Sequence, residues 1–348
     1  TWLPTSNGGS VGDPAAGTYP TVSFTANTAM YPSVGVNKSP YTLACDFGDG
    51  GFTITPPTGF ANALNTTNIA ANTTRTASDV GEYWFNDIYT GTGVSNKRTT
   101  GFPVDFSWTK TRGVSSNHCI VDVVRGLDNY LVPNATAAEN TITTITDSFD
   151  SDGITFGADT ASLTNTNTNT MVGWFAKLGG APTATNSAGA GATPTAGSVK
   201  IDGVNLGSAL AGTIAATKIT ANTTLGMSCG TYTGTGSANE TIATGLTGCE
   251  MIIVKRTDTT YGWAVWHSGL TDDYSVLLQT TAAQVNSGYW DTSGNTSTLI
   301  ELGTDSEAVN KSGQPYYFMA FAPSQFISLG SYEGNGNADG AFVPTINS

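Results

Sequence analysis

His118 and His267 are the only imidazoles in this 348-residue chain. Histidine is the commonest general acid or base near neutral pH, so these two residues are the first candidates for chemistry. They fall in corresponding apolar stretches, 117–122 and 262–267, but four positions apart, so they do not make one repeated site. No Gly-x-Ser-x-Gly elbow, HExxH pair or phosphate loop accompanies them. Two strand histidines with ordinary hydrogen bonds are expected.

Carboxylates are the next candidates. Asp147, Asp150 and Asp152 cluster just before Gly153, and Asn335, Asn337 and Asp339 cluster before Gly340. Oxygen-rich loops of this kind hold Ca²⁺, although neither has the full EF-hand ligand set and a Ser-Asp-Gly end is also a good β-turn. Calcium is the one cofactor these residues suggest. Acid pairs for glycoside hydrolysis sit far apart in sequence, so a polysaccharide depolymerase stays open as an alternative. Tyr289, Trp290, Asp291 and Asn295 form a polar, aperiodic loop. Aromatics beside Asp and Asn bind sugars by stacking plus hydrogen bonds. The alternative is an aromatic that caps a sheet edge. Cys45, Cys119, Cys229 and Cys249 match neither a CxxC pair nor a zinc site. They read as small buried hydrophobes, with a Cys229–Cys249 bridge as the other option.

The elements that must position these residues come in copies. Residues 86–180 and 227–322 are two diverged versions of one unit, and a third begins at Ser331. Each opens on a tag: Tyr89-Thr-Gly-Thr-Gly93, Tyr232-Thr-Gly-Thr-Gly236 and Tyr332-Glu-Gly-Asn-Gly336. Further on, 105–110 answers 250–255, 117–122 answers 262–267, 130–139 answers 275–284, 154–157 answers 300–303, and 171–176 answers 317–322. Apolar positions persist while the residues between them drift, which is how a duplicated core looks once its surface is free to change. The register predicts Tyr89 over Tyr232 and Trp108 near Ile253, with one strand order in both copies.

Only 11% of residues are charged, against roughly 25% in a typical soluble domain. Solubility rests on Thr, Asn, Ser and Gly, which suit strands and turns better than helices. The apolar runs are short and bounded by turn signals, with alternation at Phe106/Trp108 and Trp263/Val265 that places one face inward and the other toward water. An all-β protein of tandem sandwich modules, lectin-like or jelly-roll-like and joined by extended linkers, is expected. The divisions are a sandwich remnant with connector (1–84), repeat one (85–180), a low-complexity linker or arm (181–226), repeat two (227–330) and the start of a third (331–348). The net charge of −13, with no basic patch, argues against nucleic acid. No apolar run approaches the ~20 residues of a spanning helix, so membrane insertion is not expected. The chain opens on Thr1, so a processed product or part of a longer chain is expected.

These residues resemble a domain of unknown function that recurs in tandem in virion proteins of marine phages and cyanophages. The resemblance covers most of 85–348. It rests on the Tyr-Thr-Gly-Thr-Gly tag, Trp108-Thr-Lys-Thr-Arg112, Ile253-Val-Lys-Arg256, Val123-Val-Arg-Gly126, Phe149-Asp-Ser-Asp-Gly153 and Trp263-Ala-Val-Trp-His267. In that family the repeats often follow a SPRY-like, concanavalin-type sandwich, whose end 47–60 resembles. The segment 181–226 resembles the connector between repeats. The chain departs from the family pattern in a shortened N-terminal sandwich and a third repeat that stops early. The family implies a virion structural or host-recognition protein and supplies no catalytic residues.

The expected function is a non-catalytic appendage subunit on the virion surface: a tail fibre, spike or host-recognition protein. A capsid decoration protein is the first alternative and an appendage depolymerase the second. Expected partners are further copies of itself, a trimer by analogy with phage fibres, together with other virion proteins and a host surface glycan.

Overall fold

The computed structural model describes residues 80–304 and 307–336, all within one compact unit, 77–348. Its regular secondary structure is almost wholly strand. In the first copy, the main sheet runs in the order β1 (Trp84–Thr90), β9 (Thr170–Ala176), β3 (Phe106–Thr111), β4 (His118–Asp122), β5 (Gly126–Leu131), β6 (Asn140–Thr141). A small sheet of β2 (Asn96–Thr99), β8 (Gly153–Phe156) and β7 (Thr146–Asp150) covers one face.

The second copy repeats this order. β13 (Met227–Thr233), β20 (Pro315–Phe321), β15 (Met251–Arg256), β16 (Trp263–His267), β17 (Tyr274–Leu277) and β18 (Val285–Asn286) correspond one for one, and β14 (Glu240–Ala243) with β19 (Leu299–Leu302) makes the small sheet. Tyr89 pairs with Met171 as Tyr232 pairs with Tyr316, and Trp108 pairs with Trp174 as Ile253 pairs with Met319. The last strand corrects the sequence register by one residue: 171–176 corresponds to 316–321, not 317–322. Both stretches are apolar throughout, so the pattern alone does not fix a side-chain period of two.

Residues 181–226, read from the sequence as a linker or arm, contribute three strands to the second sheet. β12 (Ala216–Asn222) pairs with β13, β10 (Val199–Ile201) lies parallel to β12, and β11 (Val204–Asn205) closes the edge, giving nine strands.

The two main sheets face each other. Phe106, Ile120, Leu131 and Ala176 from the first copy share one apolar cluster with Cys229, Ile253, Trp263, Val265 and Met319 from the second. Separate clusters fill the space between each main sheet and its own small sheet. The result is four layers with three cores. On β4, Cys119 and Val121 point to the small sheet while Ile120 points to the other copy. On β20, Tyr316, Phe318 and Ala320 point one way and Tyr317 and Met319 the other. The sequence expectation of one wet face is corrected here. Trp263 and Val265 lie in the inter-copy core, and Ala264 and Trp266, on the opposite face, are buried as well. Strands covered on both faces read as continuous apolar runs, because neither face has to meet water.

Polar groups lock the seam. Arg125 pairs with the fully buried Asp122 at 2.5 Å and with Glu139 at 3.2 Å, and its guanidinium lies 4.6 Å from the Tyr317 ring centroid in the second copy. The Trp263 indole N–H donates to the carbonyls of Val132 and Ala135, both at 3.1 Å. Backbone bonds from Glu139 to Thr257 and from Tyr261 to Thr136 add to these.

Candidate functional site

The repeated tag is a structural clasp. Tyr89 donates its hydroxyl to the Thr164 carbonyl and Tyr232 to that of Val309. One residue further on in each copy, a buried asparagine captures the turn. Asn165 accepts from the Thr92 N–H and donates to the Gly157 and Val94 carbonyls. Asn310 accepts from the Thr235 N–H and donates to Ser237. Gly91 must lack a side chain, since a Cβ there would come 2.1 Å from the Thr166 carbonyl oxygen. Gly93 and Gly236 hold positive φ, +67° and +76°, which glycine adopts without steric cost. The tag was visible in the sequence. The asparagines were not, because they lie more than seventy residues downstream in unremarkable Asn/Thr stretches.

The histidines behave as the sequence suggested. His118 Nδ1 accepts from the Trp108 indole at 2.9 Å, and burial, then Lys110, pushes its pKa down. His267 Nδ1 accepts from the Gly269 N–H at 2.8 Å. In register His118 matches Trp263, and His267 matches the buried Asp122.

The calcium reading does not fit. Asp150 accepts from the Ser148 and Thr155 hydroxyls, and Asp152 pairs with Lys97 at 2.7 Å. No cluster of acidic, His or Cys side chains suited to a metal occurs among the described residues. Asn337 and Asp339 lie outside those residues.

The loop 286–296 is corrected as well. Trp290 is 2% exposed and belongs to the core of the second copy, with Tyr289 packed beside it. A buried indole has no face left for a sugar. Asp291 caps the 3-10 turn Thr292–Gly294 by accepting from the Ser293 N–H, and Asn295 accepts from the Glu301 N–H. Trp290 sits where the first copy has Thr146 on β7, opposite Leu302 as Thr146 is opposite Phe156. It therefore fills a core position that the single-sequence pattern hid inside polar residues. Cys119, Cys229 and Cys249 are free and buried. Cys229 lies in the inter-copy core and Cys249 in the second copy's own core, so they cannot bridge. Cys45 is outside the described residues.

The candidate site is a cleft of about 520 Å³ between the segment that follows the first copy's last strand, 177–180, and β10 with its turn, 200–203. Tyr83, Asp105, Lys177, Gly180, Lys200 and Asp202 are among the residues that line it. Asp105 is 3% exposed; its Oδ2 accepts from the N–H groups of Leu178 (2.7 Å) and Gly180 (3.0 Å). Burial pushes its carboxyl up to about 6, and those two N–H groups and the two lysines hold it from rising further. The Thr220 hydroxyl accepts from the Gly179 N–H and donates to the Gly180 carbonyl, and Asn222 donates to Lys177. The floor is thereby rigid. Lys177 Nζ sits 5.6 Å from the Tyr83 ring centroid. Chemically, the cleft offers two cations, an aromatic ring and one buried acid whose pKa is raised to about 6. Sequence reasoning missed it, since Lys177-Leu-Gly-Gly180 and Lys200-Ile-Asp-Gly203 are brought together only by the pairing of β10 with β12.

Comparison with curated proteins returns no match, and comparison with solved structures returns none either. One family profile matches twice in tandem, over residues 79–203 and 200–346. These spans follow the two copies seen in the fold, and the chain belongs to the family described as Domain of unknown function (DUF7483).

Proposed function

We propose that the chain is a non-catalytic structural and adhesive subunit on the surface of a phage particle, of the tail-fibre, spike or host-recognition kind. The observation that carries this reading is the shared core between the copies. Duplicated modules fused face to face through Phe106, Ile120, Trp263 and Met319 make a stiff platform rather than two modules on a hinge. Such a platform suits presentation of a surface under mechanical load. The resemblance to tandem domains of marine-phage virion proteins supplies the setting, and self-association, with a trimer as the analogous state, supplies the number of copies. The test is mass spectrometry of purified particles combined with immunogold labelling. Signal at the tail supports the proposal, signal in hundreds of copies over the capsid favours a decoration protein, and no signal refutes both.

One observation favours a second reading, the depolymerase. Asp105, with a pKa near 6, shares its cleft with Asp202. A glycosidase needs a raised acid and a second carboxylate on opposite sides of the scissile bond. Release of reducing ends from host polysaccharide, abolished by Asp105→Asn, would establish that reading over the first.

A further inference from the structure

Cations are scarce in this chain, 13 against 26 acids. Eight of the eleven described are engaged. Lys97, Arg98, Arg125, Arg256 and Lys311 are in ion pairs, and Lys110, Lys218 and Lys255 donate to backbone carbonyls. Among the described residues only Arg112, Lys177 and Lys200 have side chains with neither kind of partner, and two of these three line one cleft. The acids of that cleft also accept hydrogen bonds from the chain. Asp202 accepts from the Thr223 N–H and hydroxyl, and Asp105 from two backbone N–H groups. Two ammonium groups without a hydrogen bond or ion pair, beside carboxylates that accept from Thr223 and from backbone N–H groups, make an arrangement an anionic ligand completes. Tyr83, whose ring also packs against Phe326 at 5.7 Å between centroids, adds an aromatic group at the same place. The volume, about 520 Å³, holds one or two sugar rings.

We propose that this cleft binds an acidic sugar, with Lys177 and Lys200 holding a uronate carboxylate and the Tyr83 ring packed on the apolar face of the pyranose. The choice of a sugar rests on the adhesive reading above; the preference for an anion rests on the two lysines alone. Charge-assisted contacts to both oxygens of a carboxylate give orientation, and the ring stacking gives area.

The test uses the full chain and a matched pair of probes, methyl β-glucuronide and methyl β-glucoside, which differ only at C6. Binding is followed by saturation-transfer NMR and by titration calorimetry. The glucuronide should bind at least about tenfold more tightly than the glucoside, and the preference should shrink in high salt. Lys177→Met and Lys200→Met, made singly and together, should abolish the preference. Both side chains are half-buried and make no hydrogen bond or ion pair, so the variants should still fold, and thermal unfolding is measured alongside. Tyr83→Ala should weaken both probes. Equal affinity for the two sugars, no detectable glucuronide binding, or a preference that survives the double lysine variant would each overturn the proposal. Failure here with the protein still found on particles leaves the virion reading standing, and glucuronide binding by a protein absent from particles does the reverse.

Discussion

Asp105→Asn isolates a single buried carboxyl whose ionisation the fold opposes. The side chain is 3% exposed, and burial raises its pKa from the ordinary 3.8 to about 6. A folded-state pKa above the unfolded value means that the native protein binds this proton more tightly. The group therefore costs nothing below about pH 4, and its cost grows between about pH 4 and 6. Above that it is fully present, at roughly two pH units of about 1.4 kcal/mol each, or about 3 kcal/mol. Asparagine keeps the shape and the acceptor for Leu178 and Gly180 but cannot ionise. The stability difference, variant minus wild type, should thus widen in favour of the variant as pH rises. With the isoelectric point near 4.3, the useful window starts at pH 5, where about half of the cost is already present. An increase of about 1.5 kcal/mol between pH 5 and 7.5 is expected. Urea unfolding at matched ionic strength reads it directly, with Glu250→Gln, the equivalent position of the second copy, as the control for charge removal. A difference flat across this window, or one shrinking with pH, would refute the account of Asp105 as a desolvated acid.

Other substitutions probe the seam, the clasp and the corrected loop. Arg125→Met leaves Asp122 buried without its cation and should cost about 3–5 kcal/mol in urea unfolding, while pairing it with Asp122→Asn should recover much of that loss. Asn165→Ala should cost about 2–3 kcal/mol by orphaning the Thr92 N–H and the Gly157 carbonyl, and Asn310→Ala should match it in the second copy. Trp290→Ala should destabilise by about 3–5 kcal/mol, as a core deletion does; an effect below about 0.5 kcal/mol would return the residue to the surface. The segment 79–203 expressed alone would expose Phe106, Ile120, Leu131 and Ala176, so it should bind a hydrophobic dye or self-associate in size-exclusion chromatography; a well-behaved monomer would contradict the shared core.

The sequence by itself determined the strand content, the duplication and the common strand order. These follow from local chemistry: short apolar runs, Gly-rich turns that need positive φ at Gly93 and Gly236, and apolar positions that persist while the residues between them drift. It also determined that the two histidines are unrelated, because position along a strand is a sequence property. Only the tertiary structure decided what each strand face meets. An apolar run such as 316–321 records that both faces are dry, yet not whether the second face meets a small sheet or the other copy, nor which residue starts the register. Trp290 shows the reverse case, a core residue set among polar neighbours because its strand has shrunk to a single bridge. The clasp asparagines and the Lys177–Lys200 cleft required contacts across tens of residues, and pairings of that range leave no period in the chain to read. Burial, and with it the raised pKa of Asp105 and the commitment of Asp150 and Asp152 to protein partners, exists only once the layers have stacked.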